Sequence, residues 1–414
     1  MIRMPRNHDR QSGFFPAFSW TGLFILTALV LGGATYTGLA SDSIMMILAL
    51  PLIWRLVMTF PQGAPWHVTL MITVIAALFA WQLFPVFSGG GILFPNTLDA
   101  GRTLYALLFF LSPLSVFWSA LRMDAEEREG LVSWFLAGVG LNFFMAFIQF
   151  ASANFAAAIQ PFAWVMHAGF FANENHLATL FVMAVPAIIA AFRKTPWPLL
   201  SLPVILLMVF FEFVVGSRAG VVLILAAAIL SFTFVYMRSW IALIVASLVM
   251  AAGAWIFWLY LPSDWMREFS VQTDVMSRAA FAKNTLAAIR EYWPWGSGFD
   301  TFTLVYPGYE KASGIFQAYI NHAHDDWLEL VLEGGLAAII LLVAFLINIL
   351  AAAMRGNLSN MQKAAFLAII FPLLHSLADY PLRTMAISTS LAMFLAMLVA
   401  KPEEPLSNLV YGRS

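Results

Sequence analysis

The sequence predicts an all-α polytopic membrane protein, a single integral domain over 1–414 with about twelve transmembrane helices and a long outward loop between the ninth and the tenth. Three observations predict it. Of 414 residues, 62% are hydrophobic and only 10% charged, whereas soluble domains are roughly 45–50% apolar and about 25% charged. Apolar stretches recur along almost the whole length, and about 20 residues cross about 30 Å of hydrocarbon as a helix. Many of the 15 Trp stand near the ends of those stretches, where such rings settle at headgroup level. A net charge of −1 provides no basic field for nucleic acid. With no cysteine in the chain, disulfides, thiol catalysis and Cys-ligated metals are excluded.

Taken in order, the first apolar run follows Arg3, Arg6 and Arg10 and covers about 19 to 40, too long for a signal-peptide h-region. Further spans are expected at about 43 to 60, 67 to 87, 102 to 122, 130 to 152, 174 to 192, 197 to 215, 219 to 237, 240 to 260, 334 to 354, 364 to 380 and 384 to 400. Basic residues in short loops orient them. With the N-terminus inside, even-numbered helices end at Arg122 and Arg128, Arg193 and Lys194, Arg238, Arg355 and Lys363, and Lys401. Both termini are then cytoplasmic. The loop between the second and third spans has no basic residue, so a re-entrant pair is the alternative there. Arg55, near the inner end of the second span, can snorkel.

The longest outward segment, about 262 to 333, holds most of the polar chemistry. Arg278 to Tyr292 has helical spacing with apolar Phe281, Leu286 and Ile289, which predicts an amphipathic interfacial helix. Trp-Pro-Trp-Gly-Ser-Gly must break it, with Gly296-Ser297-Gly298 as a turn.

Candidate chemistry clusters at that outer edge. Arg218, between two apolar spans, is either a bidentate phosphate ligand or an anchor on lipid headgroups. Glu212 would be its counter-ion or would polarise a substrate hydroxyl. Arg278 shares its loop with Arg267, Lys283, Arg290 and Lys311, and by itself reads as one more solvated charge. Capping of the following helix explains Asp325 and Asp326 but not His322 and His324. A His with an ordinary pKa of about 6.5 can take a proton from a sugar hydroxyl. Half of a zinc site is the alternative, although no third ligand is fixed by spacing. The base is preferred, and no metal or cofactor is expected. Tyr309, Tyr319 and Trp327 are expected to anchor at the interface or to stack on a bound substrate. His375, Asp379 and Arg383 fall at helical spacing near the outer end of the eleventh span, where the last two can pair across one turn.

The segment Asn321-His322-Ala323-His324-Asp325, with Gly334-Gly335 downstream, resembles the signature of the O-antigen ligase and O-antigen polymerase family, a His followed by a small polar residue and, at a fixed interval, a glycine on a transmembrane helix. Here these are His324 and Gly335. The family usually has Asn, Ser or Gln after the His, where this chain has Asp325. Phe171-Ala172-Asn173-Glu174-Asn175, Gly216-Ser217-Arg218-Ala219, Ser277-Arg278 and Pro294-Trp295-Gly296-Ser297-Gly298-Phe299 agree in the same order.

The resemblance implies an inner-membrane enzyme with a periplasmic site. It implies inverting, metal-independent glycosyl transfer from an undecaprenyl diphosphate-linked glycan to an acceptor hydroxyl. His324 would be the base, with His322 as its alternative or orienting neighbour. Arg218 and Arg278 would hold the diphosphate, and Glu212, Asn173, Asn175, Asp325 and Tyr319 would line the cavity. The preferred acceptor is lipid A core, as for a ligase, and the alternative is a second lipid-linked glycan, as for a polymerase. A flippase of lipid-linked glycans is the competitor from another class. It would concentrate polar residues at the bilayer midplane and repeat its pattern in two halves.

Overall fold

The computed structural model describes residues 19–33, 39–88, 97–152, 167–237, 278–310 and 320–400, with single positions between 241 and 248. Among these the chain forms helices and turns without strands. The helices are α1 (Trp20–Leu31), α2 (Leu39–Thr59), α3 (Trp66–Ser88), α4 (Ala100–Leu121), α5 (Ala125–Ala151), α6 (Glu174–Phe192), α7 (Ser201–Val215), α8 (Arg218–Phe232), α9 (Arg278–Tyr292), α10 (Asp326–Ala353), α11 (Asn360–His375) and α12 (Met385–Val399).

Seven described helical stretches are long and apolar enough to cross a bilayer, among them Ser41–Thr59 and Trp66–Leu83, the doubtful pair, and three shorter helices are also apolar. The ninth expected span falls almost wholly outside the described residues, as do Arg238 and Lys401. Lipid cannot satisfy the free N–H groups at a helix start, and side chains do so instead. Asp99, Asn173, Ser217 and Thr384 each accept a hydrogen bond as N-caps. Asp124 and Ser359 close full capping boxes with Glu127 and Gln362. At two other helix ends, arginines cover backbone carbonyls. Arg193 donates to Val235, and Arg355 to Val399 at 3.2 Å.

Helix α6 is the centre, buried continuously from His176 to Ala190 and packed against α5, α7, α8 and α11. Large apolar side chains such as Trp54, Leu70, Phe210 and Ile340 are exposed, as expected where lipid replaces protein as the neighbour.

Helix α9 has the expected bounds, buries Phe281, Thr285 and Ala288 and leaves Leu286 46% exposed. Two elements depart from expectation. The tenth helix starts at Asp326 rather than near 334, because Asp325 caps it. The eleventh ends at His375, five residues early, and passes into a turn in which Ala378 N and Asp379 N both donate to His375 O. Residues 376–380 therefore turn, and His375, Asp379 and Arg383 do not share a helix.

Inside α10 the helix breaks at Gly335, with φ 57° and ψ −145°. The Pro294–Gly298 segment takes over the backbone bonds lost there. Leu336 N donates to Pro294 O at 2.8 Å, Ser297 N to Leu332 O at 2.9 Å, and Gly298 N to Glu333 O at 3.0 Å. A Cβ on Gly335 would stand 2.1 Å from Pro294 O, and one on Gly296 2.4 Å from Glu333 O. The expected turn is thus a dock that ties the outer loop to α10.

Candidate functional site

Asn321 to Asp325 form the irregular lead into α10 and carry both histidines. Asp325 Oδ1 accepts from Trp327 N and Leu328 N, both at 3.0 Å, so its side chain caps the helix. His324 adopts a left-handed φ of 53°, uncommon for a residue with a Cβ and costing about 1–3 kcal/mol that the surroundings must offset. Its ring stacks on Phe281 of α9 at 5.3 Å and meets the Tyr380 ring edge-on at 4.9 Å. Its Nδ1 lies 3.5 Å from Asp379 Oδ1.

Asp379 is the hub. It is fully buried, and its Oδ2 accepts from Asn175 Nδ2 at 2.5 Å and from Arg278 Nη2 at 3.4 Å. Its Oδ1 accepts from Tyr380 N at 2.9 Å and lies 4.0 Å from His176 Nε2. Burial alone would raise this carboxyl's pKa, but the hydrogen bond from His324 and the charges of His176, His324 and Arg278 hold it well below the usual carboxylate range. Asn173 sets up the approach. As N-cap of α6 it accepts from Asn175 N at 2.8 Å, which aims Asn175 at Asp379.

A second charged layer lies beside the first. His322 Nδ1 is 2.9 Å from Glu329 Oε1, and Glu329 Oε2 accepts from Ala323 N at 2.8 Å. Asp326, Glu329 and Glu333 are spaced to share one face of α10, and Arg383 reaches all three, at 3.7, 3.6 and 2.9 Å. Asp326 Oδ2 also accepts from Ser376 Oγ at 2.7 Å and Leu382 N at 3.1 Å. The same acidic face therefore fixes the loop carrying His324 and the turn carrying Asp379. The side chains of His322, His324 and Arg383 remain 23%, 27% and 24% exposed, open to solvent beside carboxylates that are shut away from it.

The structure brings together His322, His324, Arg278, Asn173, Asn175 and Asp325. Glu212 is fully buried in α7 beside Gly220 at the start of α8, with neither oxygen hydrogen-bonded. Arg218 opens α8 behind the Ser217 cap, while its side chain, like Tyr319, lies outside the described residues. The two histidines direct Nδ1 at different carboxylates, so these atoms do not converge as a ligand pair. Sequence reasoning missed Glu329, His176 and Tyr380 as site residues, and it paired Asp379 with Arg383. In fact Asp379 pairs with Arg278 and His324, and Arg383 with the acids of α10. The available signal was the run of ionisable residues around Pro381 in otherwise apolar sequence.

Residues 203–343 match the model of a family described as O-antigen ligase, the family that the motifs resemble. The matched stretch holds Glu212, Arg218, Arg278, His322, His324 and Gly335. Asn173, Asn175 and Asp379 lie outside it. No curated protein matches the chain.

Proposed function

We propose that this chain is an inverting glycosyltransferase of the O-antigen ligase type, moving a glycan from undecaprenyl diphosphate to a hydroxyl of lipid A core at the periplasmic face of the bacterial inner membrane. The observation that carries it is the convergence of Arg278, Asn175 and His324 on one buried carboxylate, Asp379. A cation for a diphosphate and a base for a hydroxyl stand side by side. The segment matching the O-antigen ligase model supports the substrate class, and the twelve-helix topology with cytoplasmic termini completes the reading.

In this mechanism Asp379 accepts from His324 Nδ1–H and so leaves Nε2 as the basic atom. As the acceptor oxygen attacks the anomeric carbon, its proton passes to Nε2. The bond from that carbon to the diphosphate oxygen breaks, and its electron pair leaves with the diphosphate. Attack opposite the leaving group inverts the anomeric centre. Arg278, held from behind by Asp379, and Arg218 meet the charge developing on the diphosphate, where fixed charges stabilise the transition state most. The lipid diphosphate then departs along the bilayer.

The test is to incubate the purified protein with a lipid diphosphate-linked oligosaccharide, with chelator, and with lipid A core or a second lipid-linked glycan as acceptor. Mass and anomeric configuration of the product are the readouts. Transfer to lipid A core with inversion is expected, and Arg218→Ala and Arg278→Ala should both raise the donor KM. Product only on the second glycan would make the protein a polymerase. Movement of intact lipid-linked glycan across a vesicle without any covalent product would make it a flippase.

A further inference from the structure

His322 and His324 approach one ring, Tyr380, at 4.2 and 4.9 Å, yet the groups behind them differ. Behind His324 stands a carboxylate already engaged by Asn175, Arg278 and the Tyr380 backbone, at the longer distance of 3.5 Å. Behind His322 stands Glu329, only 1% exposed, whose Oε1 meets the imidazole at 2.9 Å. That is the distance of a charge-assisted hydrogen bond, roughly twice as strong as a neutral one.

We infer that His322 works as an imidazolium that donates a hydrogen bond to the anionic part of the substrate, which leaves His324 as the single base. The inference rests on the transfer reaction proposed above. His322 keeps its proton throughout and joins Arg278 as a cationic donor. With Nδ1–H given to Glu329, the remaining Nε2–H is the donor.

The groups facing His322 from every neighbouring element bear on its charge. From α10, Glu329 and Asp326 favour the protonated ring, and Arg383, from the turn before α12, opposes them. His176 of α6 interacts repulsively with the protonated His322. From the outer loop comes Asp300, held at a left-handed φ of 63°, whose charge attracts that of His322. Tyr380 contributes its ring face. Burial pushes the His322 imidazole down, but the charge and hydrogen bond of Glu329 outweigh it and hold the pKa above the ordinary value. A raised folded-state pKa means that the proton is retained above the ordinary imidazole midpoint and is lost as pH rises through the folded value.

The experiment is the pH profile of transfer in the wild type, His322→Gln and Glu329→Gln. The wild type should lose activity at higher pH as His322 loses its proton. His322→Gln should lose that fall and raise the donor KM several-fold with the acceptor KM unchanged. Glu329→Gln should move the fall to lower pH. A fall that persists in His322→Gln overturns the inference. Histidine-labelled NMR on the intact protein, which has seven histidines, reads the protonation without any turnover. A signal absent in His322→Gln should titrate above the ordinary imidazole midpoint, and lower in Glu329→Gln. Titration of that signal at or below the ordinary midpoint sinks the inference even in an active enzyme. The expected titration in a protein that transfers nothing would instead sink the proposed reaction and leave the protonation of His322 standing.

Discussion

Asp379 Oδ1 lies 3.5 Å from His324 Nδ1, while its other oxygen takes Arg278 and Asn175. One carboxylate thus sets both the orientation of the base and the position of the cation beside it. Replacing His324 by Ala should lower kcat by about 10²–10⁴-fold, the usual worth of a positioned base, with little change in donor KM. Asp379→Asn should lower kcat and also raise donor KM, because Arg278 loses its anchor. Steady-state kinetics in nanodiscs separates the two, and an Asp379→Asn enzyme with only kcat altered would detach Arg278 from the donor.

The depressed pKa of Asp379 has a stability consequence with a definite sign. A carboxylate ionised more readily when folded contributes stability above its unfolded pKa of about 3.9, and that contribution fades only as pH falls toward the lower folded value. The gap in thermal midpoint between the wild type and Asp379→Asn should be constant from neutral pH to about pH 5 and shrink below it. A gap already closing near pH 6 would show that another group dominates.

Arg383 faces three enclosed carboxylates, and its removal leaves their charge uncompensated. Arg383→Met should cost about 3–5 kcal/mol, the range for breaking a buried ion pair from one side. Denaturant unfolding in detergent measures it. Adding Glu333→Gln to Arg383→Met should recover part of the loss.

Gly335 combines a positive φ with a backbone oxygen 2.1 Å from the place a Cβ would occupy. Gly335→Ala should therefore undock the Pro294–Gly298 segment and raise its protease sensitivity several-fold, while Gly356→Ala, with open space around the added methyl, should not.

Topology has an independent check. Lys283 is exposed on α9 and the chain has no cysteine. Lys283→Cys should react with an impermeant thiol reagent added to intact inner-membrane-facing periplasm. Reaction only after the inner membrane is breached would invert the orientation.

Much of this was legible in the sequence. Hydropathy marks the apolar helices because bilayer thickness fixes their length, and caps such as Asn173 and Ser217 stand at the expected starts. The two histidines, Arg278 and Asn175 were picked out and do meet. What spacing could not give was the partner of each charge. Asp379 and Arg383 are four apart and read as a helical pair, but the helix ends at His375, before both, and the turn that follows sends each to a different neighbour. Glu329 lies ahead of the span that hydropathy marks from about 334, and nothing local shows that the preceding loop folds back onto it.

The break at Gly335 also sets a phase. From Asp326 to Gly334 the helix makes about two and a half turns, and within them the three acids present a single stripe to Arg383. One residue inserted or deleted here would rotate part of that stripe by about 100°. Glu329 would swing away from His322, or Glu333 from Arg383, while the glycine would leave the loop that docks on it. The fixed interval between His324 and Gly335 is therefore a rotational register, and length variation in this chain is expected in its outer loops, never between those two residues.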